Sequence, residues 1–361
     1  MSKPILRAGA LSVAVFSLSV VLPCMSLAGS VKWSKMDIAS PLTDDDGQRS
    51  TDISGISCLP ASDGKRVCLV IDDQGRLAQA ATIEGSKLRG GGKIRVLGKG
   101  APPDDIVGKE PTVINCSKQK DKFKDLDGEA VAHYGKSFYV VGSHGCSRKS
   151  NKFRASSFII AQISDDAVVM AADADPKTVD DKGTVATTFR LSEALLLSPS
   201  VRDSFTKDLM TDDGLNIEGL AVVGGTLYVG LRAPIVGTKS YLVAIDAALL
   251  FDGGRTITTG DVREVDVDLG GRGVRDIAVL SDDRLLVLSG PAQAQSLSFA
   301  LHVVDPKVKS ASLVAELKEI PSDWKAEAVQ ILRQEPSALE LLVMFDGAES
   351  GEPRRYEIDL K

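Results

Sequence analysis

The sequence predicts an all-β chain folded as a β-propeller, on three observations. A paired-strand phrase recurs five times along the 361 residues: polar opening, apolar strand, tight turn, apolar strand, polar exit. Further short strand-like runs follow each copy, so the chain divides into units of four strands, the pattern of propeller blades. The fifth unit shows only three strands, while an unattached strand at 31–38 stands ready to complete it. Closing the ring in this way removes exposed sheet edges, which otherwise invite aggregation. Five four-stranded blades are expected. Six is the alternative, because the stretch between Leu97 and Asp125 is unassigned.

The elements follow in order. Lys3 and Arg7 precede an apolar run at 11–22, and Ser26-Leu27-Ala28 closes it with small residues. This is the layout of a secretory signal peptide, expected to occupy 1–28. One propeller domain is expected over 29–361, closed by the N-terminal strand at 31–38, where apolar and polar residues alternate. The first repeat sets Asp52-Ile53-Ser54-Gly55-Ile56 before 67–73, with strands at 76–83 and 93–97. The second runs from Asp125 to Gly145, and strands are expected at 157–163 and 167–171. A helical insertion is expected near 185–210. There, residues 191–209 carry apolar positions at helical spacing, interrupted by Pro199. The third repeat joins 216–223 to 226–232 through Gly224-Gly225, a strong hairpin signal. Strands at 241–245 and 262–267 complete it. The fourth takes 274–280, 284–291, 299–304 and 312–317. The fifth takes 324–331, 339–346 and 356–360.

Composition limits the function. Hydrophobic residues are 43% and charged residues 25%, ordinary for a globular chain. Without the leader, 41 basic residues face 49 acidic ones, a net charge near −8. That argues against a nucleic-acid partner, which needs a basic face. Aromatic residues, at 5%, argue against a stacking surface for bases or sugars. No second long apolar run suggests a membrane span. Cys58, Cys68, Cys116 and Cys146 remain after the leader, an even number that suits disulfides in an exported protein. Pairing Cys58 with Cys68 would staple a hairpin and leave Cys116 for Cys146. A periplasmic or secreted location is expected.

Several phrases are similar to a known family. Asp127-Gly128-Glu129-Ala130, Gly142-Ser143-His144, Asn216-Ile217-Glu218-Gly219-Leu220-Ala221, Gly230-Leu231-Arg232-Ala233-Pro234, Gly271-Arg272-Gly273-Val274-Arg275-Asp276-Ile277 and Ser289-Gly290-Pro291 resemble the bacterial family catalogued as domain of unknown function 3616. The third and fourth repeats carry the resemblance best. A looser resemblance, to the esterase-like phytase propellers, rests on the Glu-Gly-apolar-Ala opening alone. The resemblance implies the fold and leaves function open.

In a propeller the first strand of each blade lines the central channel, and its start shares a face with the exit of the second strand. Alignment on the apolar residues puts Ser54, Glu129, Glu218, Arg275 and Glu327 at one equivalent position. Carboxylates brought together repel unless a cation intervenes. Arg275 is one such cation and a bound Ca²⁺ is the other solution. The expected roles are Glu129, Glu218 and His144 in catalysis, with Glu129 and Glu218 also as metal ligands. Arg232, Arg275, Asp276, Glu327 and Asp127 are expected to bind ligand; arginine forks suit phosphate or carboxylate. A channel merely lined with solvated polar groups is the plain alternative.

These residues set two expectations for function. One is an exported propeller that binds a small anionic or polar ligand in the funnel, in its more specific form a Ca²⁺-assisted phosphoester or ester hydrolase. The other is a non-catalytic periplasmic binding or scaffold protein.

Overall fold

Five blades stand in a ring, each an antiparallel sheet with at least four strands. The computed structural model describes Met1 and residues 30–98, 105–119, 123–180 and 185–360. The expected leader therefore lies, beyond Met1, outside the described residues. Blade one is built from Ile53–Cys58, Lys65–Asp72, Leu77–Glu84 and Lys87–Arg95. Blade two takes Gly128–Tyr134, Ser137–Gly142, Ile160–Ser164 and Val185–Thr188. Blade three takes Asn216–Val223, Thr226–Ala233, Lys239–Asp246 and Arg263–Asp268, and blade four Gly273–Val279, Leu285–Gly290, Ala300–Asp305 and Ser310–Glu316. Blade five joins Lys325–Glu335, Ala338–Asp346 and Arg354–Asp359 to Val31–Lys35 from the other end of the chain. The innermost strands pack in sequence, one on two through to five, and five on one again.

The N-terminal segment divides between two blades. Val31–Lys35 pairs antiparallel with Arg354–Asp359, whereas Asp37–Ser40 pairs parallel with the outer strand of blade one. Met36, between them, is buried. The same short stretch thus fastens the last blade to the first.

Blade two departs from expectation. Residues 167–171 are not a strand; they belong to the helix Asp165–Ala172. Ser164 caps that helix through the Ala167 N–H, and Asp165 and Asp166 complement its first turn. A run of alanine and valine suits either period, and the cap decides. The fourth strand is Val185–Thr188. The expected long helix is short, Leu191–Leu197, followed by a 3₁₀ turn at Arg202–Ser204. Pro199 accounts for the stop. Between Leu97 and Asp125 the described residues contain one two-residue strand, Lys118–Gln119, and no blade. The count is five, not six.

Blades pack closely because the inner strands are small-sided. At Gly219 an added Cβ would come within 2.7 Å of Val274 and 2.8 Å of Ile277 in the next blade. Both disulfides form: Cys58–Cys68 bridges directly paired positions of one hairpin, and Cys116–Cys146 joins the segment before blade two to the loop after its second strand. Among the described residues, no helix is long and apolar enough to cross a membrane.

Candidate functional site

The pairing register shows how the ring of polar side chains arises. In every blade the inner strand carries one residue more than its partner at the same point, and that residue has no opposite number. The extra residues are Ser54, Glu129, Glu218, Arg275 and Glu327. These are β-bulges, which twist a strand locally and re-aim the side chain. Five bulges at one level turn five side chains from the sheets toward the axis. The expected equivalence of these positions is therefore a property of the backbone.

All five are at least 98% buried. Arg275 Nε lies 2.9 Å from Glu218 Oε2, and Arg275 Nη2 reaches Glu327 Oε1. Ser54 donates to Glu327 at 3.5 Å. Arg232, which has no opposite residue on its own strand's partner, donates from Nη1 to Glu218 Oε1 at 2.7 Å and from Nε to the Ala292 carbonyl at 2.7 Å. Glu218 is thus held by two guanidiniums, and Arg275 joins three blades. Burial alone would push Glu218 up, but Arg232 and Arg275 outweigh it and hold the carboxyl below its usual range. Burial pulls Arg275 down to about 9 against the pull of Glu218, so it stays charged at neutral pH.

Glu129 differs. It makes no hydrogen bond or ion pair with the described residues. Burial, then repulsion from Glu218, Asp127 and Asp73, pushes it well above the ordinary carboxylate range. Two of the three ring carboxyls are thus pushed in opposite directions, Glu218 down and Glu129 up, a separation that suits them to different chemical parts.

Other expected residues fall elsewhere. Asp276 points between blades four and five, accepting the N–H groups of Ile277 at 2.8 Å and Val329 at 2.7 Å. It is wholly buried and is an inter-blade staple, because alternation turns the residue after a bulge away from the axis. His144 is also wholly buried. It donates Nδ1–H to the Gly142 carbonyl at 2.9 Å and lies against Phe158, with ring centroids 5.5 Å apart. Burial lowers it to about 4, so it is neutral. Asp127 does reach the mouth, accepting a hydrogen bond from Ser143. Among the described residues, no three or more His, Cys, Asp or Glu side chains are gathered so as to hold a metal ion. Both Glu218 oxygens already face guanidiniums, so the chemistry of the ring fits Ca²⁺ poorly.

The channel mouth holds two adjoining cavities above the ring. One, about 580 Å³, is lined by Asp52, Asp73, Asp127 and Asp346 together with basic residues of the 148–154 loop. The other, about 610 Å³, has Arg148, Arg232, Arg275 and Lys325 in its lining. Arg148 and Lys325 line both cavities. Below the ring, a cavity of about 430 Å³ with a mixed lining opens between Ile56, Val131, Leu220, Ile277 and Val329, with Arg66, His133 and Gln330 among its polar residues. Arg148 was not singled out in the sequence. Its signal is the basic run beginning two residues after Cys146. Burial opposes its charge, but the surrounding acidic groups, Glu218 among them, outweigh burial and keep Arg148 protonated.

Residues 185–357 match the family described as protein of unknown function, DUF3616. The match takes in the last strand of blade two and blades three to five. The phrases around Glu218 and Arg275 lie inside it, and those around Glu129 and His144 outside. No curated protein matches the sequence. Among solved structures, a GH43 β-1,3-galactosidase is similar at 11% identity and a TM-score of 0.46, over 91% of this chain and 60% of that one. A second GH43 β-1,3-galactosidase, solved with galactodeoxynojirimycin, stands at 9% and 0.42, over 91% and 95%. The tail fibre of Staphylococcus aureus phage P68 stands at 12% and 0.38, over 92% and 53%. Likeness of this degree assigns no residue a role.

The mouth makes stability pH-dependent. Burial and the neighbouring Asp127 raise Asp73 to about 8, and burial raises Asp72 to about 6. The folded state keeps protons that the unfolded chain has lost above pH 3.8, so stability falls as pH rises toward 8. His144 and His302, both lowered to about 4 by burial, act in the opposite sense between pH 4 and 6.5. The window from pH 6.5 to 8 is therefore clean. Urea unfolding across it should show stability falling, with Asp73 contributing up to about 1.4 kcal/mol per pH unit while Asp72 has already titrated below the window. Asp73→Asn should flatten the slope; a stability that climbs with pH in that window contradicts the assignment.

Proposed function

We propose that this chain is an exported β-propeller that binds a small anionic ligand at the mouth of its central channel, with Glu129 as the proton-carrying group beside it. One observation carries the reading. Arg148, Arg232, Arg275 and Lys325 converge on a single cavity whose only carboxylate, among the described lining residues, is Glu319. The ring explains the division of labour. Arg232 and Arg275 are fixed by Glu218 and Glu327 and supply a rigid positive floor. Arg148 and Lys325 stand at the lip, each near a carboxylate: Asp73 at 3.7 Å for Arg148, Asp346 for Lys325. Asp73, raised to about 8, holds its proton at neutral pH and leaves the charge of Arg148 available to a ligand.

In the hydrolytic form of this reading the floor and lip hold the negative charge of a phosphoester, a water forms the new P–O bond as the ester P–O bond breaks, and Glu129 gives its proton to the leaving oxygen and regains one from the water. Glu218 is a positioning residue: it orients two guanidiniums. Export is supported by the leader-like N-terminus and by the two disulfides. Calorimetry with inorganic phosphate and turnover of phenyl phosphate, whose poorer leaving group needs the proton, test the proposal. Arg148→Met should weaken phosphate binding at least about tenfold, roughly 1.4 kcal/mol. Glu129→Gln should leave binding in place and slow turnover by about 10²–10⁴. Phosphate binding without turnover in the unaltered protein would favour the non-catalytic binding protein. Binding indifferent to Arg148→Met would remove the proposal.

A further inference from the structure

The cationic cavity has an outer half unlike its floor. Its walls are Phe299, Leu317, Ile320 and Trp324, with Pro291 and Leu297 at the rim. Its one acidic lining residue among those described, Glu319, accepts the Trp33 indole N–H at 2.9 Å.

The apolar wall is fixed in place. Gly290 has no side chain, and an added Cβ would fall 2.5 Å from the Phe299 ring and 3.3 Å from Arg275 Cγ. The ring of Phe299 therefore lies directly beside the Arg275 stem. Trp324 packs on Phe345 with centroids 5.7 Å apart, and Arg354 stands 5.3 Å from its centroid. The rim loop is tied down as well: Gln295 accepts the Ala292 N–H at 2.9 Å, and Gln293 donates to the Leu209 carbonyl at 2.8 Å.

On the far side of Arg148 and Lys325 lies the acid-lined cavity, with Asp52, Asp73, Asp127 and Asp346. A ligand with several negative charges spread along its length would drive some of them into that cavity. A ligand with one charge at one end, and hydrocarbon behind it, meets complementary surface at both ends.

Resting on the anion-binding reading above, we infer that the ligand is an amphipathic monocarboxylate, its carboxylate against Arg148 and Lys325 and its hydrocarbon body between Phe299 and Trp324. A cavity of about 610 Å³ suits a small organic acid. Affinity should climb with chain length until the apolar half is filled. Burial of one methylene corresponds to about a fourfold gain in affinity.

The chain has two tryptophans, Trp33 and Trp324. Trp33→Phe leaves Trp324 as the single fluorescent reporter inside the cavity. Titrating this variant with acetate, butyrate, hexanoate and octanoate should give tightening of up to about sixteenfold per two-methylene step and a shift in Trp324 emission. Octanol should bind at least tenfold more weakly than octanoate. Arg148→Met and Lys325→Met, each checked for an unchanged melting temperature, should weaken octanoate about tenfold and leave octanol alone. Phe299→Ala should erase the gain from hexanoate to octanoate.

The outcomes separate the two readings. If acetate and inorganic phosphate bind through Arg148 as tightly as octanoate, anion binding at the mouth stands and the amphipathic ligand is overturned. If octanol equals octanoate, the carboxylate has no part and the inference falls. If no probe binds or shifts the emission, both readings fall.

Discussion

Glu218→Ala should lower the melting temperature by on the order of 10 °C. The side chain is 1% exposed and faces two guanidiniums that are themselves buried, Arg275 and Arg232. Removing it leaves both charges in the interior without their shared partner. Breaking a buried pair in this way costs about 3–5 kcal/mol, and each kcal/mol moves the midpoint of a domain this size by about 2–4 °C. Glu129→Gln offers the sharpest contrast. Glu129 sits on the same ring, at the equivalent bulge, and is equally buried. Burial and the neighbouring Glu218 disfavour its charge, so its amide replacement should change stability by no more than about 0.5 kcal/mol, in the stabilising direction. Exchanging the whole cluster for apolar residues, Glu218→Leu with Arg232→Met, Arg275→Met and Glu327→Leu, should recover much of the loss, because no buried charge is then left alone. Urea denaturation of the three variants decides the matter. Equal effects of Glu218→Ala and Glu129→Gln would show that the ring is not the ion-pair network described.

The difference between these two glutamates also marks what the sequence could and could not convey. Blade count, the ring of Ser54, Glu129, Glu218, Arg275 and Glu327, and the outer strand borrowed from the N-terminus were legible, because strand period and hairpin signals are local. The bulges were legible only indirectly. A polar residue set between apolar or small neighbours, as in Ile-Glu-Gly-Leu at 217–220 or Ala-Glu-Ala-Val at 326–329, is where strict alternation slips by one. The same slip misled for Asp276. It follows Arg275 immediately, yet it faces blade five, where it accepts the Val329 N–H. His144 misled for a different reason: a strand exit says nothing about whether the chain then turns inward, and a positive φ of 52° turns this one toward Phe158. Arg148 was missed because its role depends on a loop folded over the mouth, and loop path is set by long-range contacts. The opposite displacement of Glu129 and Glu218, one up and one down, was not legible at all. It rests on Arg232 arriving from the neighbouring strand at 2.7 Å.

The loop bearing Arg148 supplies the last prediction. Replacing both Cys116 and Cys146 by serine should cost about 3.6 kcal/mol, against about 2.7 kcal/mol for Cys58 and Cys68, on the chain-entropy account. The difference follows from sequence separations of 30 and 10 residues. The second pair also closes a hairpin whose strands are already hydrogen-bonded at those two residues, so little geometry depends on it. The first pair has another task. Cys146 lies two residues before Arg148, and its partner comes from the segment before blade two. Beyond it, the loop is held by Ser147, which accepts the Lys152 N–H at 3.1 Å, and by a two-residue parallel pairing of Lys152–Phe153 with Lys118–Gln119. Cutting the bridge removes the covalent tie nearest the guanidinium. Anion binding should therefore weaken in Cys116→Ser/Cys146→Ser and remain unchanged in Cys58→Ser/Cys68→Ser, measured at a temperature where both are folded. Mild reduction of the unaltered protein should reproduce the first result. Equal affinity in the two double variants would show that the other contacts of the loop suffice to hold Arg148 over the channel.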